Sequence, residues 1–170
     1  MKIIFSLCLV LAMVSNLNAQ TPYTSVPDDK SKGGIILNGI ISKYILENEV
    51  SFNWYASSRA NYTPDPSILN AMEAAKTRVQ FLVFGGTWCE DTQFILPKFF
   101  KLQEMSGFPD KSISFFGVNR EKKTLGNVAD VFKITNVPTI IILKDGKETG
   151  RVIEYGKTGK WDAELAEMLK

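Results

Sequence analysis

The chain has 170 residues and no histidine, and its 20 lysines and arginines against 18 aspartates and glutamates leave a formal net charge of +2. The charges are scattered without a basic stripe, which argues against a nucleic-acid partner. Lack of histidine excludes Ser-His-Asp triads, Cys-His nucleophile pairs and histidine metal sites, and neither a metal nor a cofactor is expected.

Met1 and Lys2 lead into an apolar stretch over residues 3–14 and a polar region ending at Ala19, the pattern of a secretory signal peptide. Residues 1–19 are therefore expected to be removed on export, leaving a periplasmic or secreted protein. The apolar run is shorter than the about 20 residues a membrane span needs, so no membrane association is expected after cleavage. Cys8 would leave with the signal. Because Cys8 and Cys89 are the only cysteines, the mature chain would keep one thiol and form no internal disulfide. A lone exported thiol is inert and buried, bonded to a second molecule, or reactive.

Residues 20–34, polar and proline-containing, are expected to form a mobile leader, and residues 35–170 a single domain. Ile40, Ile41, Tyr44 and Ile45 predict a helix within 35–55. Thr63-Pro64-Asp65-Pro66-Ser67 is a turn cluster in which Asp65 or Ser67 can cap a helix carrying Ile68, Leu69 and Met72. Val79, Phe81, Leu82, Val83 and Phe84, ending in Gly85-Gly86, are the near-continuous apolar run of a strand buried on both faces. A helix over 89–105 follows, with Phe94, Ile95, Phe99 and Leu102 on one face and Pro97 interrupting it. Then come a strand over 113–118, a short helix over 128–132, a strand over 139–143, a hairpin turn at Asp145-Gly146 and a return strand over 151–155. Trp161, Leu165 and Leu169, four residues apart, predict a closing helix.

From residue 79 the order is β-α-β-α-β-β-α. With Trp88-Cys89-Glu90-Asp91-Thr92 at the first strand-to-helix junction and Val137-Pro138-Thr139 before the hairpin, it resembles the thioredoxin superfamily over residues 79–169. That superfamily carries Trp-Cys-x-x-Cys, a proline eight residues after the first cysteine, and a cis-proline followed by threonine; Cys89, Pro97, Pro138 and Thr139 fall on those marks, and Gly156 on a further glycine. Phe52-Asn53-Trp54-Tyr55, Pro64-Asp65-Pro66 and Gly86-Thr87-Trp88-Cys89 also resemble a bacterial exported thioredoxin-like group whose site lacks the second cysteine.

The resemblance implies an α/β fold, a three-layer α/β/α sandwich around a mixed sheet, here with an N-terminal helical extension. It implies Cys89, Thr92, Trp88 and Pro138 as catalytic residues, and Trp88, Val137, Pro138 and Thr139 as the substrate groove. Two departures stand out: Thr92 replaces the resolving cysteine, and Val83 replaces the buried acid that serves the second thiol.

A helix N-terminus favours a thiolate, whereas Glu90 and Asp91 place negative charge in the same first turn and oppose it. Thr92, Glu90 and Asp91 are equally ordinary helix-start residues, and Cys89 could be a small buried apolar side chain. Two functions follow. In one, Cys89 attacks a disulfide of a protein or small molecule and an external thiol resolves the mixed disulfide. In the other, the groove between Trp88 and Pro138 holds an extended peptide and Cys89 is incidental.

Overall fold

A computed structural model of the chain describes residues 21–170; the expected signal segment, with Cys8, lies outside them. Strand β3 (Gln80–Gly85) is the centre of the architecture. Its alternating side chains feed two cores, as a strand covered on both faces must. Phe81 and Val83 enter the larger cluster with Ile95, Phe99, Phe115 and Ile140, and Phe84 enters the smaller one with Phe116, Val118, Val137 and Ile141.

β3 pairs in parallel with β4 (Ile113–Gly117) and antiparallel with β5 (Thr139–Lys144), and β5 turns back into β6 (Lys147–Ile153). The turn between them has Asp145 at φ 50° and Gly146 at φ 75°, the left-handed pair that matches a hairpin's twist. β6 begins earlier than its apolar residues foretell, because Lys147 to Gly150 pair mainly through backbone and leave most side chains exposed.

Two strands precede this unit. The segment expected as a mobile leader holds β1 (Tyr23–Pro27), paired antiparallel with β2 (Ile35–Ile41), and β2 pairs antiparallel with β4. β1 carries no apolar stripe because its hydrogen bonds, not burial of its side chains, hold it to the sheet. β2 also corrects the expected helix: Ile40 and Ile41 lie in the strand, and the helix α1 (Lys43–Asn48) starts only after them. Leu37 and Ile41 are four apart, a spacing that satisfies the strand period of two as well as a helical turn. The sheet order among the described residues is β1-β2-β4-β3-β5-β6.

Helices α2 (Trp54–Ala60) and α3 (Pro66–Ala75) follow, the latter capped by the Asp65 carboxylate accepting from the Ser67 amide at 2.8 Å. α4 (Glu90–Met105) leaves the carboxyl end of β3 with Pro97 inside it. Ile95, Phe99 and Leu102 are buried as their spacing predicts, but Phe94 is 48% exposed. One residue is about 100° of helix, which swings Phe94 off the face of Ile95. Its ring instead meets Tyr155 at 5.8 Å between centroids. The short α5 (Val128–Val131) covers the smaller core and α6 (Trp161–Met168) the larger, giving the mixed sheet helices on both faces.

The extension is fastened to this framework by buried charge as well as strands. Lys43, 6% exposed, donates to Gln103 at 2.8 Å and pairs with Glu104 and Asp110 at 2.9 Å each. Arg59 also pairs with Glu104, at 2.5 Å.

Candidate functional site

The site lies where β3 and β4 end and α4 begins, the end of a parallel pair at which loops and a helix N-terminus converge. A larger cavity of about 710 Å³ opens at the opposite end of the sheet, beside Gln80 and Leu143, away from Cys89.

Cys89 is the N-cap of α4, with extended backbone (φ −97°, ψ 124°). Its N–H donates to Gly86 at 2.9 Å, and its carbonyl accepts from Gln93 at 3.0 Å, which closes the first helical turn. The half-buried Sγ donates to the Val137 carbonyl at 3.2 Å. Residues 48 apart in sequence are thus in direct contact, and the Val137–Pro138 peptide bond beside the sulfur is cis. The Pro138 carbonyl accepts from the Glu154 amide at 2.7 Å.

The remaining expected site residues divide. Trp88, the residue before Cys89, donates its indole N–H to Val118 at 3.0 Å, and its ring lies over Gly86, where an added Cβ would come within 2.6 Å. Glycine at 86 therefore lets the ring fold down. Thr92 is buried and its oxygen accepts from the Gly86 amide at 3.2 Å, so it holds the loop before Cys89. Thr139 is also buried and donates to the Asn136 carbonyl at 2.7 Å, bracing the turn that presents Val137. The sulfur meets the carbonyl of the cis Val137–Pro138 bond, and the two threonine hydroxyls support the backbone around it.

Several residues enter that sequence reasoning missed. Arg120 reaches Asp28 through Nε at 3.0 Å and Nη2 at 2.8 Å, places its guanidinium carbon 5.1 Å from the Trp88 ring, and stands within electrostatic reach of Cys89. The Arg120 guanidinium holds the Asp28 carboxyl below the usual carboxylate range. Lys122 lies 5.8 Å from the same ring. Gln93 donates to the Thr87 carbonyl at 2.8 Å. On the acidic side, burial and then the neighbouring Asp91 carboxylate push up the Tyr155 phenol. Loops at the carboxyl ends of parallel strands host sites in α/β sheets, and that rule singles out Asn119 and Arg120 after β4. Nothing in the sequence marks Asp28. Among the described residues, no group of three or more His, Cys, Asp or Glu is placed to hold a metal ion.

An N-cap cysteine against a cis-proline, presented by β3 and α4 on a four-stranded unit with helices on both faces, defines a thioredoxin-fold site. The thioredoxin family model matches residues 69–169, well over half of the chain, and the chain belongs to that family. It is 30% identical over 76 residues to a thioredoxin-like protein of Acanthamoeba polyphaga mimivirus, covering 45% of this chain and 53% of that protein. It is 32% identical over 92 residues to a thioredoxin of Echinococcus granulosus, covering 53% of this chain and 80% of that one. A thioredoxin of Oryza sativa subsp. japonica is 37% identical over 71 residues, 41% of this chain and 48% of its own length. The chain thus spans about half the length of two of these relatives. Among solved structures, an HIV epitope-scaffold superposes with a TM-score of 0.51 at 16% identity over 75% of this chain and 88% of that one, a likeness of fold alone.

Proposed function

We propose that this protein carries out thiol–disulfide exchange through Cys89 alone, as an exported monothiol member of the thioredoxin family. The observation that carries the reading is the placement of Sγ at the helix N-cap, against the Val137 carbonyl and beside the cis Val137–Pro138 bond. Helix N-termini favour the thiolate, the form that attacks sulfur. In the exchange, the Cys89 thiolate bonds to one sulfur of a partner disulfide. The partner's S–S bond breaks, and its other sulfur leaves as a thiolate and takes up a proton. Position 92 is threonine, so no second thiol stands one turn along to finish the cycle. An external thiol then attacks the mixed disulfide and releases Cys89.

Removal of residues 1–19 on export, with 35–170 as the functional domain, belongs to the same reading, because it leaves Cys89 as the one thiol. Intact mass of protein recovered from the host's exported fraction tests it: one alkylatable thiol is expected, and retention of residues 1–19 would refute the export step. Alkylation of Cys89 by iodoacetamide across pH 5–10, with trapping of a model peptide disulfide by wild type but not by Cys89→Ser, tests the chemistry. A Cys89 that neither alkylates nor traps while the peptide still binds would replace this reading with that of a peptide-binding module.

A further inference from the structure

Two lysines are buried to the same depth, and only one of them is satisfied. Lys43 and Lys98 are each 6% exposed. Lys43 has Gln103, Glu104 and Asp110 around its ammonium. Lys98, on α4, forms neither a hydrogen bond nor an ion pair among the described residues, and its ammonium lies over the Phe94 ring. The carboxylate whose charge reaches it, Asp162, is bonded instead to the Tyr62 hydroxyl and the Ala163 amide, at 2.9 Å each. Burial accordingly pulls Lys98 below the usual lysine range. A buried cation left this way is costly, since a ring face attracts it but offers its N–H groups no oxygen.

The same lysine lines a cavity of about 300 Å³, at the bottom of the roughly 300–1,000 Å³ of ordinary small-molecule sites. One wall is α4, with Glu90, Phe94 and Lys98; the other is α2, with Trp54, Ser57 and, just past its end, Asn61. The α2 wall lies outside residues 69–169, so the pocket exists because the added segment packs against α4. Trp54 and Phe94 give it aromatic sides. The exposed Asn61 side-chain amide, unbonded among the described residues, is a second donor. Glu90 stands eight residues from Lys98, about 12 Å along the helix, and its carboxylate opposes a second negative charge at that end.

We propose that this pocket binds a small free monocarboxylate with an aromatic or similarly flat apolar body. Its carboxylate accepts from the Lys98 ammonium, supplying the oxygen that the fold withholds, and its body lies against the Trp54 and Phe94 side chains. A volume of this size suits one ring and one acid group. Cys89 takes no part, so the site stands or falls apart from the exchange chemistry.

The probes are phenylacetate and its uncharged isostere phenylacetamide, titrated into the protein by ligand-observed NMR. Saturable binding of the acid is expected, with the amide at least about tenfold weaker, the scale of one hydrogen bond to a charged group. Phenylacetate should also protect Lys98 from acetic anhydride, read by peptide mass mapping. Lys98→Met keeps the stem and removes the ammonium; it should abolish the preference for the acid and raise the urea midpoint, because an unsatisfied buried charge is gone. Ser57→Phe, at an exposed position on the α2 wall, should block both probes and leave the midpoint unchanged. 1,4-Phenylenediacetate, with a second carboxylate across the ring, should bind more weakly than phenylacetate, and the gap should shrink in Glu90→Gln. Absence of saturable binding, equal binding of acid and amide, or acid binding unaltered in Lys98→Met or Ser57→Phe overturns the proposal. A lowered midpoint in Lys98→Met would mean that the ammonium is already satisfied, which removes the premise. Tighter binding of acetyl-Gly-Gly-Phe than of phenylacetate would overturn the assignment to a free acid in favour of a chain terminus.

Discussion

Two ionic clusters fasten residues 23–60 to the rest of the molecule, and they differ in how the buried charge is shared. At the far end of α4, the Lys43 ammonium has three acceptors, Gln103, Glu104 and Asp110, and Arg59 shares Glu104. At the site, Asp28 and Arg120 form a single two-bond pair whose arginine also lies over the Trp88 ring. Satisfying a buried charge through several partners makes a rigid joint, because removing the shared lysine weakens every contact it makes at once. A single pair does something further: it holds the arginine over the ring of Trp88, the residue before the thiol.

The largest separation of the two should come from Lys43→Ala. Breaking a buried pair costs about 3–5 kcal/mol; Glu104 and Asp110 are partly exposed and can rehydrate, so a loss of about 2–3 kcal/mol is expected in urea unfolding. The iodoacetamide rate of Cys89 should not change. A change in that rate would mean the distal joint also governs the site.

Acid should act on both clusters together. Asp28 and Asp110 are held below the usual carboxylate range by hydrogen bonds from Arg120 and from Tyr44 and Lys43, and Glu104 is held low by Arg59 and Lys43 despite its burial. A carboxyl whose folded pKa is depressed stabilises the fold above its unfolded value, about 4, and loses that contribution as pH falls through the folded value. The urea midpoint should therefore fall steeply below about pH 4. The slope should flatten in Lys43→Ala, which frees Asp110 of its cation and leaves Glu104 only Arg59. An unaltered slope would place the acid sensitivity elsewhere.

Asp28→Asn keeps the shape and removes one charge. A stability loss of about 1 kcal/mol is expected, typical of one net hydrogen bond, together with faster alkylation of Cys89 at neutral pH, because Arg120 is then uncompensated. A slower rate would reverse the electrostatic role given to Arg120. The smallest effect belongs to Tyr55, whose buried hydroxyl has no partner at hydrogen-bond geometry among the described residues. Tyr55→Phe should be neutral or stabilising by up to about 1 kcal/mol, since it removes an unsatisfied polar group. Burial pushes the Tyr55 phenol up, so its stabilisation is complete below about pH 10 and lost as pH rises further. The variant should resist alkali better than wild type.

What is legible in the sequence follows the burial. β3 and α4 bury long apolar runs of different period, and the change of period between them is enough to mark Cys89 as a helix start. Val137-Pro138 stands out only through the family pattern, and the fold sets it against the sulfur. β1 leaves no hydrophobic trace, because four of its five side chains are exposed. Phe94 sits one position from Ile95, which on a helix is enough to move it from core to surface. Arg120 and Asp28 are 92 residues apart and meet only because β2 lies against β4, a pairing that neither local pattern contains.

The added hairpin also decides what this sheet can do in a crowded solution. Without β1, the free flank of β2 would offer Ile35 to Ile41 as a template for another chain, since an unpaired, apolar strand edge invites aggregation. β1 occupies that flank and ends in Pro27, a residue with no N–H to donate to a further strand. At the opposite margin β6 carries Lys147, Glu148 and Arg151, charges that would have to be stripped of water before a neighbour could dock. Both margins of the sheet thus carry features that oppose edge-to-edge pairing, and a strand with the composition of an idle leader supplies one of them.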